Sequence, residues 1–444
     1  MLNRLDLRGR GVDGARDLPR PHLTGDAPVA AVRDIIARVR TEGDAALLEL
    51  TERFDGVQLD QVRVPGSELA AAVDRIPADL REALEAAAEA VEVFHQAQLR
   101  PPHVVERPGI SIRAYQRPVD RAGLYVPGGR AQYPSTVIMT AVPAKVAGVG
   151  EVVVCVPPDR TTGRVADSVL AAGHIAGVDE VYAVGGAQAV AAMAYGTESI
   201  RPVDVIGGPG NVYVAIAKRE VAGQVGVPAS FAGPSEVVVV ADASVDPTFA
   251  AVDVLVQAEH GPDGLAWFVT WDPDVADRVA AAVEELVATS PRADDIRATL
   301  AEGGYLALVD DERAALAVVD AIAPEHLQLM CAGAELLAAE VRNAGAIFCG
   351  PWSPASVGDY LAGPSHVLPT FGTARFASAL TVGDFLKDHH VVTVERQGLV
   401  EVGPHVVALA RCEGLDTHAR SITVRLGEAL GRDGAGRPDA EGAR

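Results

Sequence analysis

The chain has 444 residues, 49% of them hydrophobic, and carries 38 Lys plus Arg against 60 Asp plus Glu, a formal net charge of −22. That is enough apolar material for large buried cores in two to four domains, and it excludes a disordered chain. The negative charge argues against sequence-independent nucleic-acid binding and against docking on an anionic membrane, though not against a small anionic ligand held by local groups.

The N-terminal stretch MLNRLDLRGR has no signal-peptide apolar run. Gly, Pro or charge interrupts every later apolar stretch before the ~20 residues a membrane helix needs. A soluble cytoplasmic protein is expected. Cys155, Cys331, Cys349 and Cys412 never fall in a C-x-x-C spacing, so neither a disulfide framework nor a cysteine zinc cluster is expected. Gly9-Arg10-Gly11-Val12-Asp13-Gly14 satisfies G-x-G-x-x-G. It lacks an evident strand before it and an apolar helix after it, and so reads as a terminal loop.

Residues 26–54 have helical periodicity, and a second Ala/Glu-rich helix is predicted over 78–99, ended by Pro101-Pro102. From about residue 121 short apolar runs alternate with Ala-rich helices. Val152-Val153-Val154-Cys155-Val156 and Val181-Tyr182-Ala183-Val184 suit strands buried on both faces of a parallel sheet. The pattern recurs after Gly233, with strands at 237–240 and 266–270 and helices at 247–259 and 273–288, so two similar α/β units are predicted. Residues 376–430 weaken into short polar segments, an arm rather than a globule, and 431–444 read as a disordered tail.

Three glycine-rich turns fall in the first unit: 123–129, Gly185-Gly186-Ala187-Gln188, and Gly207-Gly208-Pro209-Gly210-Asn211 before a helical run. A glycine turn feeding a helix start is a phosphate cradle, although tight βα turns also want glycine for backbone reasons. In Gln257-Ala258-Glu259-His260 the first and last side chains share a helix face and could hold a metal; alternatively His260 caps its helix. Gly358 to His366 and Glu413 to His418 are dense in polar groups. Ala323-Pro324-Glu325-His326 is read as a helix start, where the dipole keeps His326 neutral and usable as a base. Cys155, in a buried strand, is expected to be packing rather than a nucleophile.

Taken together, the motifs at 123–129, Tyr133-Pro134-Ser135-Thr136, 185–190, 208–211, Ala232-Gly233-Pro234-Ser235-Glu236, 257–263, Pro324-Glu325-His326-Leu327, Gly358-Asp359-Tyr360, 366–370 and 413–418 resemble the histidinol dehydrogenase family in order and spacing from about residue 3 to 427. The resemblance implies two similar, incomplete Rossmann-like (aldehyde-dehydrogenase-like) α/β parallel-sheet domains with small arms. The expected bounds are 1–23 for an N-terminal arm, 24–113 with 236–375 for a substrate and metal domain, 114–235 for an NAD-binding domain, and 376–430 for a C-terminal swapped arm. It implies four-electron oxidation of L-histidinol to L-histidine through L-histidinaldehyde, the last step of histidine biosynthesis. NAD and one zinc ion per subunit would serve a homodimer with shared active sites. By the same resemblance Glu325 and His326 are the catalytic pair, and Tyr125, Gln188 and Asn211 contact NAD. Gln257, His260, Asp359 and His418 bind metal. Ser235, Gln257, His260, His326, Asp359, Glu413 and His418 bind substrate. The alternative is a zinc- and NAD-dependent dehydrogenase of another small amino- or sulfo-alcohol.

Overall fold

The computed structural model describes residues 1–19, 28–128, 131–228, 235–260 and 264–427, with the side chains of Asp17 and His260 excepted. The expected tail at 431–444 lies outside the described residues. The chain divides into two compact units, Met1–Leu99 with Pro118–Leu386, and Arg100–Arg117 with Lys387–Arg444. Among the described residues no helix is long and apolar enough to cross a membrane.

The first unit contains two sheets. One has five strands in the order Arg63–Val64, Glu180–Ala183, Glu151–Val156, Arg121–Tyr125, Val205–Gly207. All are parallel except the short edge strand Arg63–Val64. The unbroken apolar runs do what their sequence requires, with alternate residues entering opposite cores. Val152, Val154 and Val156 face the helices Pro134–Ala147 and Asp167–Ile175. Val153 and Cys155 face Gly186–Tyr195 and Val212–Val221. Cys155 is fully buried, and burial pushes its thiol up to about 12, as expected of a packing residue. From Arg121–Tyr125 the chain moves outward over two strands and then returns to add Val205–Gly207 on the other side. Strand order therefore reverses between these two neighbours, the place where open α/β sheets leave a crevice at their carboxyl ends.

The second sheet has six parallel strands in the order Asn3–Asp6, Gly304–Leu308, Leu265–Thr270, Glu236–Ala241, His326–Met330, Ala346–Cys349. The expectation of an N-terminal arm is corrected here. Asn3–Asp6 is an edge strand, and Leu7 N donates to Leu308 O at 2.8 Å. A strand therefore does precede the G-x-G-x-x-G string, but the string itself runs into a short 3-10 turn, Gly11–Asp17, and Asp310 accepts from the N–H groups of Gly9 and Gly11. The string is a loop stitched to its own sheet.

The helices Val29–Glu42, Asp44–Asp55 and Ala78–Gln96 were expected to join the second sheet. Their buried residues, Val32, Leu47, Leu50, Leu84 and Val91 among them, instead pack into the two cores of the five-stranded sheet. An apolar stripe declares that a helix has a buried face, not which sheet receives it.

The second unit joins the hairpin His103–Arg107 and Ile110–Pro118 to the strand Leu386–Val394. It ends in two helices packed on each other, Arg396–Cys412 and Asp416–Arg425. Thus 100–113 belongs with the C-terminal segment, while Leu380, Val382 and Phe385 are buried in the first unit. The C-terminal unit leaves many apolar side chains exposed, including Val104, Val392, Leu409 and Val424.

Candidate functional site

The carboxyl ends of the five-stranded sheet open into a cavity of ≈ 860 Å³, and Tyr125, Gln188 and Asn211 all line it. Tyr125 ends its strand, and its hydroxyl accepts from Gly186 N at 3.1 Å. Burial pushes that phenol up to about 12, so it stays protonated. Gln188 is buried in the first turn of Gly186–Tyr195. Asn211 caps Val212–Val221, its Oδ1 accepting from Tyr213 N and Val214 N at 3.0 and 3.2 Å. Gly208, with φ 100°, passes so close to Tyr125 that a Cβ would lie 2.1 Å from the Tyr125 carbonyl oxygen. No other residue fits that turn. Lys218, fully buried on the same helix, donates its amine to the Gly208 carbonyl, and burial pulls the amine down to about 8.

The catalytic pair expected from the sequence lies at the amino end of the second sheet. The helix reading of this segment is corrected. Ala323, in the left-handed region at φ 52°, caps the helix Glu312–Ile322, and Pro324 cannot extend it. His326 therefore opens a strand, opposite Val237 and Ala346. No helix dipole lowers its pKa. Burial does oppose its charging, but Glu325 and Asp359 outweigh burial and push the ring up to about 9. Its Nδ1 meets the Glu236 carbonyl oxygen at 3.2 Å and its Nε2 meets Asp359 Oδ1 at 3.1 Å. A carbonyl and a carboxylate only accept, so a ring making both bonds donates from both nitrogens and is an imidazolium.

Glu325 is buried beside it, with Oε2 3.6 Å from His326 Nδ1 and accepting from Glu236 N at 3.0 Å. Burial pushes Glu325 up to about 7 against the pull of His326 and that N–H. Glu236, whose carboxyl is itself buried, is pushed up to about 8 by burial and by Glu325, while the N–H groups of Phe371 and Gly372 bond it.

Asp359 sits on the short helix Ala355–Tyr360. A Cβ on its neighbour Gly358 would lie 2.4 Å from the Phe348 ring, which stacks on His326 with centroids 6.2 Å apart. The missing side chain lets this helix close on the His326 ring. Behind it, His366 Nδ1 donates to the Asp359 carbonyl oxygen at 2.9 Å, and its Nε2 accepts from Thr136 Oγ1 at 3.2 Å. Burial pulls His366 below the usual histidine range, consistent with a neutral ring of that tautomer. Thr136 opens the helix that follows Arg121–Tyr125, so one hydrogen-bonded chain links the cavity's sheet to His326. Glu236, His366 and Thr136 all lie in motifs noted above, but no role for them was legible there. The one available signal was a charged residue opening a strand that goes on as four valines and an alanine.

Gln257 is buried at the end of Pro247–Val256, a helix packed against Ala355–Tyr360. His260 ends the following turn, and its side chain lies outside the described residues. Ser235 leads into Glu236–Ala241, and its carbonyl accepts from Leu265 N at 2.9 Å. Glu413 and His418 belong to the second unit, exposed at the C-cap of Arg396–Cys412 and in the first turn of Asp416–Arg425. Among the described residues no three His, Cys, Asp or Glu side chains are grouped so as to hold a metal ion.

Residues 18–426 match the profile of histidinol dehydrogenase. The chain belongs to the histidinol dehydrogenase family. It is 49% identical over 408 residues to histidinol dehydrogenase of Pseudomonas aeruginosa, covering 91% of this chain and 92% of that one. It is 46% identical over 436 residues to that of Leifsonia xyli, covering 96% and 100%. The crystal structure of histidinol dehydrogenase from Elizabethkingia anophelis superposes with a TM-score of 0.91 at 32% identity, covering 96% of this chain and 98% of that one. The histidinol dehydrogenase fold therefore extends over both units, the C-terminal one included.

Proposed function

We propose that the protein oxidises L-histidinol to L-histidine through L-histidinaldehyde, with NAD as the hydride acceptor in both steps. The relatives' names support the substrate. The observation that carries the chemistry is the His326 ring, held at both nitrogens beside Glu325 and joined by hydrogen bonds to the helix behind the ≈ 860 Å³ cavity.

Each oxidation moves a hydride from carbon to the cofactor while a proton leaves the adjoining oxygen. Neutral His326 takes that proton from the alcohol and later from the aldehyde hydrate; the doubly donating ring is the form it has once the proton is accepted. Between the two steps Glu325 removes a proton from the water that adds to the aldehyde, a task suited to a carboxyl lifted to about 7. NAD supplies the redox chemistry and the protein supplies placement. Tyr125, Gln188 and Asn211 hold the cofactor in the cavity.

Gln257, His260, Asp359 and His418 would hold one zinc ion per subunit. Their amide, imidazole and carboxylate donors suit that metal, and the two whose side chains are described in the first unit come from packed helices. Bound there, zinc would supply a Lewis acid toward the substrate's imidazole and amine. The exposed apolar side chains of the C-terminal unit support a homodimer in which Glu413 and His418 complete the partner's site. NADH absorbance measured with histidinol and NAD tests the reading: two NADH per histidinol are expected, and none would overturn it.

A further inference from the structure

The helix Pro247–Val256 runs back along the second sheet from the strand Glu236–Ala241, so its end at Gln257 returns to the edge where His326 opens its own strand. Ala250, Ala251, Val254 and Leu255 of that helix share a core with Val237, Val239 and Met330. Such apolar contacts have no direction, and they leave the height of a helix on its sheet loosely set. A polar contact fixes it here. One turn before Gln257 the helix carries Asp253, and two residues after His326, on the same face of the sheet, the strand carries Gln328; both are buried. Gln328 Nε2 donates to Asp253 Oδ2 at 2.6 Å. Among the described residues this is the one hydrogen bond between that helix and that strand.

The helix climbs ~6 Å from Asp253 to Gln257, and the strand spans ~6.6 Å from Gln328 back to His326. The two steps match, so a bond at the lower level puts Gln257 and His326 together on the next. As core material the pair is costly. Gln328 Oε1 is sealed off with no hydrogen-bond partner, and burial holds the Asp253 carboxyl above the usual carboxylate range, against the pull of the Gln328 amide. Two apolar side chains of the same size would fill the space at no such cost. Departures from an apolar core are expected where function requires them.

We propose that Asp253 and Gln328 are positioning residues, whose hydrogen bond fixes the height of the helix Pro247–Val256 on the strand His326–Met330 and so the place of the Gln257 amide relative to the His326 ring. Neither acts on the substrate. Gln257 belongs to the group that orients the substrate and His326 to the group that takes its proton, so an error in that height pulls the two apart. A misplacement of ~1 Å can cost about 10²-fold. The inference rests on Gln257 being a zinc ligand.

The test is the zinc affinity of the metal-stripped full chain, measured by competition with a chromophoric chelator, alongside urea unfolding of each variant. Asp253→Leu joined to Gln328→Met removes the bond and leaves an apolar pair. That variant should unfold no more easily than the unaltered protein, yet bind zinc about 10- to 100-fold more weakly, the range for residues that support a metal ligand. Gln328→Glu sets two carboxyls against each other and should also weaken zinc. Adding Asp253→Asn to it rebuilds the bond with donor and acceptor exchanged, and should restore the affinity. Unchanged affinity in either bond-breaking variant, or no restoration by the exchange, would overturn the proposal; if the apolar pair does not fold, Gln328→Glu and the exchange decide it. Gln257→Ala tells the two failures apart. If it keeps the unaltered affinity, Gln257 is not a ligand, and the metal reading falls together with this inference. If it weakens zinc while the bond-breaking variants do not, only the role of Asp253 and Gln328 is refuted.

Discussion

Lys218 offers a test of the cofactor-side architecture that needs no substrate. Its amine is fully buried and donates to the carbonyl of Gly208, the residue that packs against Tyr125. A fall of its pKa from 10.5 to about 8 corresponds to ~3 kcal/mol of differential proton binding. The sign follows from the protons held in each state. Below pH 8 both folded and unfolded chains carry the charge, and the native state bears the full cost of burying it. Between about 8 and 10.5 the unfolded chain binds more protons, so this group makes stability rise with pH until the cost is gone. Lys218→Met keeps the apolar stem and removes the charge, leaving the Gly208 carbonyl without its donor at ~2 kcal/mol. The variant should therefore be ~1 kcal/mol more stable than wild type at pH 7 and ~2 kcal/mol less stable at pH 10.5. Urea unfolding followed by far-UV circular dichroism, run on both proteins across that range, gives the difference with all other titrating groups cancelled. A difference that stays flat with pH would refute the account of Lys218 as a charged amine in an apolar site.

His326→Asn should slow both oxidation steps by about 10²–10⁴-fold, and Glu325→Gln should slow the aldehyde step at least as much as the alcohol step. Wild-type oxidation of supplied histidinaldehyde by the Glu325→Gln variant would remove the water-activating role. A strong chelator should abolish activity and zinc should restore it, while His260→Ala should lose metal, measured by elemental analysis, and keep its fold. Full activity in a rigorously metal-free preparation would sink the metal assignment. Co-refolding the inactive His326→Ala and His418→Ala variants should regenerate activity, because a mixed dimer with shared sites gathers both defects in one site and leaves the other intact. Mixed dimers without activity would mean that each site is built by a single chain.

Much of the α/β layout was legible because strands buried on both faces leave unbroken apolar runs, as at Val152 to Val156 and Val237 to Val240. Asn3–Asp6 was not, since an edge strand with one pairing partner can be almost wholly polar. Three residues that line the cavity, Tyr125, Gln188 and Asn211, lie in the glycine-turn motifs, and Glu325 and His326 share one motif in the sequence. A proline ahead of His326 is compatible with a helix start, but Pro324 instead blocks the extension of a helix already capped at Ala323, so no helix dipole acts on the ring. The supports of the pair lie far away in the chain: Glu236 is 90 residues from His326, and Thr136 is 230 from His366. No local pattern announces a hydrogen bond across such a span.

The edge strand at Asn3–Asp6 sets an order of events in synthesis. Its partner, Gly304–Leu308, is ~300 residues further on, and Asn3 Nδ2 donates to the Gly304 carbonyl oxygen at 3.0 Å across that gap. At ~5–20 residues per second, a ribosome needs ~15–60 s to make the intervening chain. During that time the five-stranded sheet, complete by residue 207, can close while the earlier strand waits unpaired. The strand made first can join its sheet only once Gly304–Leu308 has been made. Deleting Asn3–Asp6 would leave Gly304–Leu308 as a bare sheet edge, open to strand pairing between molecules.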